Sequence, residues 1–297
     1  MYFTQTVENR VDSEQKFFGR LLPSGSISLA PKWLLRARMT ATAIMFTGSA
    51  FAVAADGNQL IGNPPNLIPD LSIGETDRAQ KIFGVEGRDF AVAYILRGKV
   101  ATERRTFDAS VEMQLEMASL VARRFHGPRE LVATAVKGLY WRMWLALESG
   151  QLPCFLGLEI PFVGYFRGEP FCLTAQFYPS GRYEIRGQDL DGWLFAFSGS
   201  PIIAELMQVR DERIAYKLKG PDDCPSLQDA IDATRAYIAA CSAGFGLEVD
   251  PENCRGLGGH IHIATLTPLR RPSWLGRVMR GESPSGGFSW AIPPKTL

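Results

Sequence analysis

The sequence predicts a four-layer α/β/β/α sandwich, in which helices cover the outer faces of two packed sheets. The chain has 297 residues, 46% hydrophobic and 21% charged, which suits one large core-forming domain. Its apolar pattern runs in the order strands, two helices, strands, two helices, strands. Elements in this order bury their apolar faces when each pair of helices covers one sheet and the two sheets face each other.

The first predicted element is a β-hairpin in residues 38–56, RMTATAIMFTGSAFAVAAD. Small turn residues at Thr47-Gly48-Ser49 separate two β-compatible runs. Residues 1–39 show little periodicity and are interpreted as a leader, a pro-segment or a mis-called start, so residues 40–297 are expected to form a single domain. The hairpin also imitates a secretory signal, because a basic flank precedes it and Ala-Val-Ala ends it. An exported binding protein with residues 1–54 as its signal therefore remains an alternative.

The next segments predict a loop, two strands and two helices. Prolines in residues 57–77 exclude a regular helix. The runs KIFGV and DFAVAYIL predict strands on either side of the turn EGR. Helical spacing starts at Phe107, breaks at Gly127-Pro128 and continues to Leu145.

Strands and helices alternate again after Gly150. FLGLEI and VGYFRGEPFCLTAQFYPSGRYEI predict strands with turns at RGE and PSG, and WLFAFSGS predicts another strand before the helix PIIAELMQVRDERIAYKL. Ser226 and Asp229 have the spacing of a capping box and begin the last predicted helix. The strands GGHIHIATLT and GFSWAI follow, joined by a basic loop.

Composition excludes several classes of protein. The net charge of +1 gives no indication of a nucleic-acid partner. No apolar run is long enough for a membrane-spanning helix, so no membrane association is expected. Five cysteines without a C-x-x-C pair favour a reducing, cytoplasmic compartment over a disulfide framework. No cofactor motif is recognised, and none is expected.

Two smaller groups of residues have less specific patterns. His260 and His262 could seat a metal on one face of a strand, but no third ligand accompanies them. We therefore expect no metal site and a partly exposed sheet face. The loop after the last His-containing strand carries an arginine cluster, for which a solvated loop is expected: Arg270, Arg271, Arg277 and Arg280.

The hairpin would supply a nucleophile and a base if Thr40 were the first residue of the chain. Removal of Met39 and all that precedes it would leave a free α-amine beside the Thr40 hydroxyl. A hydroxyl is a weak nucleophile that needs an adjacent base. An N-terminal amine has a pKa near ~8, so part of it is neutral near pH 7 and can take the proton.

These residues resemble the proteasome-type peptidases, N-terminal-nucleophile hydrolases that include proteasome β and bacterial HslV subunits. Thr40 begins a strand, and Asp56 follows sixteen residues later at the end of FAVAAD. Lys81 in QKIFGV is similar to the lysine strand of the family, and Ser198 in FSGS is similar to its Gly-Ser turn. The GYFRGEPFCLTAQFYPSGRYE and GGHIHIATLT segments extend the resemblance to about residues 40–266.

The resemblance implies a fold, an activity and partners. The fold is the sandwich of N-terminal-nucleophile hydrolases, and the activity is threonine-type peptide hydrolysis. Thr40 would be the nucleophile, Lys81 would lower the pKa of the amine, Asp56 would orient Lys81, and Ser198 would lie in the proton path. Backbone amides would hold the oxyanion. The substrate would be a peptide or unfolded protein, the assembly a homo-oligomeric ring, and some relatives have an ATP-dependent unfoldase as partner.

Two departures from the family pattern leave a second interpretation open. The Gly-rich turn after the lysine strand is replaced by AYILRG, in which Gly98 is its displaced equivalent or the turn is absent. Before the final Gly-Gly, the register gives Cys254 and Leu257 where the family has Asp and Ser, and Asp250 is the nearest acid. A catalytically inactive structural subunit of the same fold is therefore the alternative to the peptidase.

Overall fold

The hairpin predicted at residue 40 opens the part of the chain that the computed structural model describes. The described residues are 40–58, 60–61, 68–69, 79–98, 100–102, 106–190, 192–214, 216, 225–268 and 270–274. The predicted leader, residues 1–39, and the predicted strand GFSWAI lie outside these ranges.

The first antiparallel sheet is built around this hairpin. Its central strands are β1 (Thr42–Phe46) and β2 (Phe51–Asp56), and every residue of both is buried. The Thr47 hydroxyl closes the turn by accepting a hydrogen bond from the Ala50 amide at 3.0 Å. With β11 (Leu194–Ser198), β12 (Ile261–Thr267) and β13 (Arg270–Trp274), the strand order is β11-β1-β2-β12-β13.

The second antiparallel sheet contains the strands β5 (Ile82–Glu86), β6 (Phe90–Ile95), β7 (Arg97–Gly98), β8 (Leu158–Phe166), β9 (Glu169–Phe177) and β10 (Tyr183–Gln188). Their order is β10-β9-β8-β6-β5, and the short strand β7 also pairs with β8. A separate ladder joins β3 (Leu60–Ile61) and β4 (Ile68–Pro69). The sequence predicted two strands where β8 is continuous. Pro161 fits inside β8 because it lies between the residues that pair with β6 and those that pair with β7.

Six helices occur in the described residues, where four were expected. They are α1 (Ala109–Leu120), α2 (Pro128–Glu148), α3 (Pro201–Gln208), α4 (Leu227–Ser242), α5 (Gly244–Val249) and α6 (Pro251–Cys254). The capping box predicted at Ser226 and Asp229 is confirmed at the start of α4. None of the helices in this part of the chain combines the length and apolar composition needed to cross a membrane.

Two predicted elements differ from the structure. Helix α3 ends at Gln208 instead of reaching Leu218, because Arg210 adopts a positive φ of 64° that reverses the chain. The segment Arg270–Trp274, predicted as loop, is strand β13. It is an edge strand of the first sheet, and this position tolerates its Pro272.

Three apolar cores hold these elements together. One lies between α1–α2 and the second sheet and includes Met113, Leu139 and Phe162. Another lies between the two sheets, around Ile44 and Ile95. The third joins α3 and α4 to the opposite face of the first sheet, where Ala and other small residues of β1 and β2 allow close approach.

The predicted four-layer α/β/β/α sandwich of the N-terminal-nucleophile type is corrected by this architecture. The described chain is a mixed α/β fold with two antiparallel sheets, a separate β3–β4 ladder and six helices. The short helices α5 and α6 were absent from the prediction because four to six residues make less than two helical turns, and the ladder was absent because strands of two residues show no alternation.

Candidate functional site

Four chain positions meet at one end of the two sheets. Thr40 lies two residues before β1, Asp56 is the last residue of β2, and Ser198 is the last residue of β11. Because β1 is antiparallel to both β2 and β11, its beginning lies beside their ends, and Thr42 is paired with Ser198 on one side. Lys81 directly precedes β5 in the facing sheet. The topology thus brings together residues that lie as far as 158 positions apart in sequence.

A buried ion pair joins the two sheets at this end. The Lys81 Nζ donates to Asp56 Oδ1 at 2.7 Å, and neither side chain is more than a tenth exposed. The same carboxylate oxygen accepts from the Ala41 amide at 3.0 Å, while the Asp56 amide donates to the Ala41 carbonyl at 3.1 Å. Asp56 therefore binds both the lysine and the residue that follows Thr40.

The backbone of Lys81 is fixed as well as its side chain. Its carbonyl accepts a hydrogen bond from the Leu96 amide at 3.2 Å, which extends the pairing between β5 and β6 by one step. Beyond Leu96 the chain turns into β7, where Gly98 has a φ of +96°. A Cβ at Gly98 would lie 2.6 Å from the Gly157 carbonyl oxygen, so this turn requires glycine.

Burial shifts the pKa of both members of the ion pair. It raises the pKa of Asp56, and the Lys81 charge and the hydrogen bonds from Lys81 and the Ala41 amide oppose this rise. It lowers the pKa of Lys81, and the Asp56 charge and hydrogen bond oppose this fall. A partly dehydrated cation is thus held beside the start of β1.

Thr40 itself is buried against the end of the sheet, with 8% of its surface exposed. In the full chain its nitrogen belongs to the peptide bond with Met39, so the residue has a hydroxyl and no free amine. A chain that began at Thr40 would place an amine and a hydroxyl on the residue next to the Ala41–Asp56 hydrogen bonds.

The turn that follows Ser198 touches the start of β1. Gly199 has a φ of +126°, and a Cβ at this position would lie 3.4 Å from the Ala41 Cα and 3.1 Å from the Tyr237 hydroxyl. That hydroxyl donates to the Ser200 carbonyl at 3.1 Å. The Ser198–Gly199–Ser200 turn is therefore held between Ala41 and α4.

A buried acid supports this turn. The Ser200 hydroxyl donates to Asp250 Oδ2 at 2.6 Å, and both side chains are buried. Cys254 lies beside them, and a hydrogen bond with Cys241 lowers the pKa of its thiol. Leu257 is part of the apolar core under α4. The sequence marked Asp250 only as the acid nearest to Cys254 and Leu257, and sequence reasoning missed its contact with Ser200.

The two histidines are buried, so the expectation of a partly exposed sheet face is wrong. His260 and His262 are each 5% exposed. His262 is paired with Ala55 of β2, which packs in the core between the sheets. Within the described ranges, no group of three or more His, Cys, Asp or Glu side chains is arranged to hold a metal ion.

Comparison with known proteins identifies the fold. The sequence matches no protein-family model. It also matches none of the curated proteins. The structure is similar to a chain in the helical assembly of the Anbu complex from Pseudomonas aeruginosa, with a TM-score of 0.52 and 11% sequence identity over 82% of this chain and 88% of that chain. Anbu (ancestral beta-subunit) from Yersinia bercovieri gives a TM-score of 0.46 and 10% identity over the same shares.

This likeness corrects the predicted relationship. The sequence was expected to resemble proteasome β and HslV subunits, whereas the solved structure to which the fold is similar is a chain of the Anbu complex. At 11% identity the likeness concerns the fold alone. Any activity must therefore be argued from the residues of this chain.

Proposed function

We propose that this chain hydrolyses peptide bonds when Thr40 is its first residue, with the Thr40 hydroxyl as nucleophile and its own α-amine as base. The observation that supports this proposal is the buried Lys81–Asp56 pair, whose carboxylate also binds the Ala41 amide. A buried lysine–aspartate pair carries a desolvation cost, and pairs with shifted pKa values of this kind are concentrated at functional sites. This pair lies against Ala41, the residue that follows Thr40.

The reaction would proceed through an ester on Thr40. The neutral amine takes the hydroxyl proton as Oγ bonds to the substrate carbonyl carbon, and the carbonyl oxygen becomes an oxyanion. The amine then returns the proton to the leaving nitrogen, which breaks the peptide bond and leaves an ester. Water, deprotonated by the same amine, attacks this ester. The amine returns the proton to the Thr40 Oγ as the ester bond breaks, and the acid product leaves.

Lys81, Asp56 and Ser198 would assist this nucleophile. The Lys81 ammonium lowers the pKa of the nearby amine and hydroxyl, so that more of the amine is neutral near pH 7. Asp56 holds Lys81 at 2.7 Å and fixes the backbone after Thr40. Ser198 lies beside β1 in the sheet and would take part in proton transfer. The substrate would be a peptide or an unfolded protein segment, and an ATP-dependent unfoldase, if it serves this chain, would be a separate protein.

The first test compares two starts of the chain. A form released from an N-terminal fusion so that Thr40 is first is expected to cleave fluorogenic peptides, and a form that keeps only Met39 before Thr40 is expected to be inactive, because its amine is displaced by one residue. The intact mass of the protein from its own host shows which start is used. Equal activity of the two forms would contradict the proposal.

A different intact mass of the protein from its own host would favour one of the two alternatives to the peptidase. A chain that keeps Met1 has no free Thr40 amine and favours an inactive structural subunit of this fold. A chain that begins at Ala55 favours an exported binding protein, although that cleavage would remove β1 and nearly all of β2. Only a mass that begins at Thr40 supports the peptidase.

We also propose that copies of the chain assemble through the outer face of α1 and α2. This face exposes large apolar side chains: Val111, Leu115, Trp141, Trp144 and Leu145. The exposed parts of the two tryptophans alone amount to on the order of 100 Å² each, and monomers rarely leave such a patch uncovered. The similar Anbu structure is a helical assembly. A repeated head-to-tail contact gives a closed ring when its rotation closes and an open helix when it does not.

Loss of this apolar face should weaken self-association. The double variant Trp141→Ser/Leu145→Ser is expected to assemble at least about tenfold more weakly, because buried tryptophans dominate interface energies. Sedimentation velocity over a concentration series measures the change. The control Val209→Ser/Leu247→Ser removes exposed apolar side chains from α5 and the end of α3 and should assemble normally. An unchanged sedimentation profile for the first variant would contradict the proposed surface.

A further inference from the structure

We infer that Asp250 is a positioning residue for the Thr40 site and acts through Ser200 and the turn that contains Gly199. This inference rests on the proposed function, because it assigns a second support to the same nucleophile. Asp250 does not touch the Lys81–Asp56 pair in the described structure; it lies at the start of α6, in the layer that packs behind the first sheet.

Asp250 is a buried acceptor with a complete set of donors. Its carboxylate accepts from the Ser200 hydroxyl at 2.6 Å, from the Asn253 amide at 3.3 Å and from the Asn253 side chain at 3.0 Å. It is 5% exposed. Hydrogen bonds to a buried carboxylate are short and strong, so this group holds the Ser200 side chain in one rotamer.

Hydrogen bonds of the Ser200 side chain and carbonyl fix the backbone at this residue. With its proton donated to Asp250, the Ser200 oxygen accepts from the Ile203 amide at 3.1 Å and caps α3. Its carbonyl accepts from the Tyr237 hydroxyl at 3.1 Å. The side chain of Ser200 is thus anchored to Asp250 at the start of α6 and its main chain to Tyr237 of α4, which fixes one end of the turn that contains Gly199.

The preceding residue, Gly199, lies next to the start of β1. A Cβ at Gly199 would be in van der Waals contact with Ala41, 3.4 Å from its Cα. Ala41 is held on its other side by the two hydrogen bonds with Asp56. The start of β1 is therefore fixed between Asp56 and the Asp250–Ser200 network, and Thr40 extends from this fixed point.

The hydrogen bonds of Asp250 extend beyond the short helix that it caps. Asp250 lies four residues before Cys254, and its carboxylate binds Ser200. An acid that only capped α6 would need the Asn253 amide alone. The additional 2.6 Å bond to a serine that lies 50 residues away indicates a role beyond that helix.

The inference is tested by comparing Asp250→Ala, Asp250→Asn and the control Asp211→Ala. Asp211 is a matched control, because like Asp250 it accepts a hydrogen bond from a backbone amide a few residues on, but its side chain is more exposed, at 17%. In the form that begins at Thr40, Asp250→Ala should lower kcat by about 10–100-fold with KM changed less than about twofold, since small misplacement of a nucleophile mainly slows chemistry. Asp250→Asn keeps an oxygen acceptor and should recover most of the loss, and Asp211→Ala should match the parent.

A second measurement uses the full chain and needs no activity. Amide hydrogen exchange in Asp250→Ala should be at least about tenfold faster at Ala41, whose amide binds Asp56, and unchanged at Leu173 in β9. Unchanged exchange at Ala41, or equal acceleration at Ala41 and Leu173, would overturn the inference. If no form hydrolyses peptides but Ala41 alone exchanges faster, the peptidase proposal fails and the positioning role of Asp250 stands.

Discussion

Replacement of Thr40 by alanine, in the form that begins at residue 40, is expected to lower kcat/KM for peptide hydrolysis by at least about 10³-fold. Alanine keeps the α-amine, the backbone and the buried Lys81–Asp56 pair, and removes only the attacking oxygen. Activity above background would require another nucleophile. A fluorogenic peptide assay together with the intact mass after reaction with an electrophilic peptide measures the effect, since the parent should form a covalent adduct and the variant should not.

Thr40→Ser is the matched control for this experiment. Serine keeps both the hydroxyl and the amine, so it should form the same adduct and keep activity within about an order of magnitude of threonine. Thr40→Ala should also unfold at nearly the parent temperature, because it removes a small side chain at the sheet end. If the alanine variant hydrolyses peptides as fast as the parent, the assignment of Thr40 is wrong.

The parts of the fold that the sequence predicted are those with long, regular patterns. The β1–β2 hairpin, the β5–β6 pair and helices α1, α2 and α4 occur where periodicity placed them. Prediction failed where tertiary contacts decide the outcome. Pro161 interrupts the pattern of β8 but not the strand, and Arg210 ends α3 in a sequence that continues to look helical. Neither the continuity of β8 at Pro161 nor the end of α3 before Arg210 has a signal in the neighbouring sequence.

The candidate site shows the same division. Thr40, Asp56 and Lys81 were named from the resemblance to the proteasome-type peptidases, and the structure brings Asp56 and Lys81 into contact next to Ala41, the residue that follows Thr40. Asp250 and Ser200 were not paired in advance, because their contact depends on how α3, α4 and α6 pack behind the sheet. No residue spacing encodes a contact across three helices. The Asp250–Ser200 pair can be recognised only once the fold is known.

Loss of the Lys81 ammonium is expected to have the largest effect on stability. Lys81→Met leaves the Asp56 carboxylate fully buried with the Ala41 amide but no cation, and breaking a buried pair in this way costs about 3–5 kcal/mol. The double variant Asp56→Asn/Lys81→Met removes both charges and keeps an oxygen for the Ala41 amide. It should be less destabilised than Lys81→Met alone. Urea unfolding of the full chain measures all three free energies.

The pH dependence of Lys81→Met separates a lost charge pair from lost packing. Burial raises the pKa of Asp56, and removal of Lys81 takes away the main opposing charge, so the folded pKa rises further above the unfolded value near ~3.9. When the pKa of Asp56 is higher in the folded than in the unfolded state, its contribution to the free energy of unfolding is fully present below the unfolded pKa. This contribution is lost as the pH rises through the folded pKa. Lys81→Met should therefore be less destabilised at pH 5 than at pH 8. The double variant should lack this difference, and so should the exposed control Asp211→Asn/Arg213→Met. An equal loss for Lys81→Met at both pH values would show that Lys81 stabilises the fold through packing and not through Asp56.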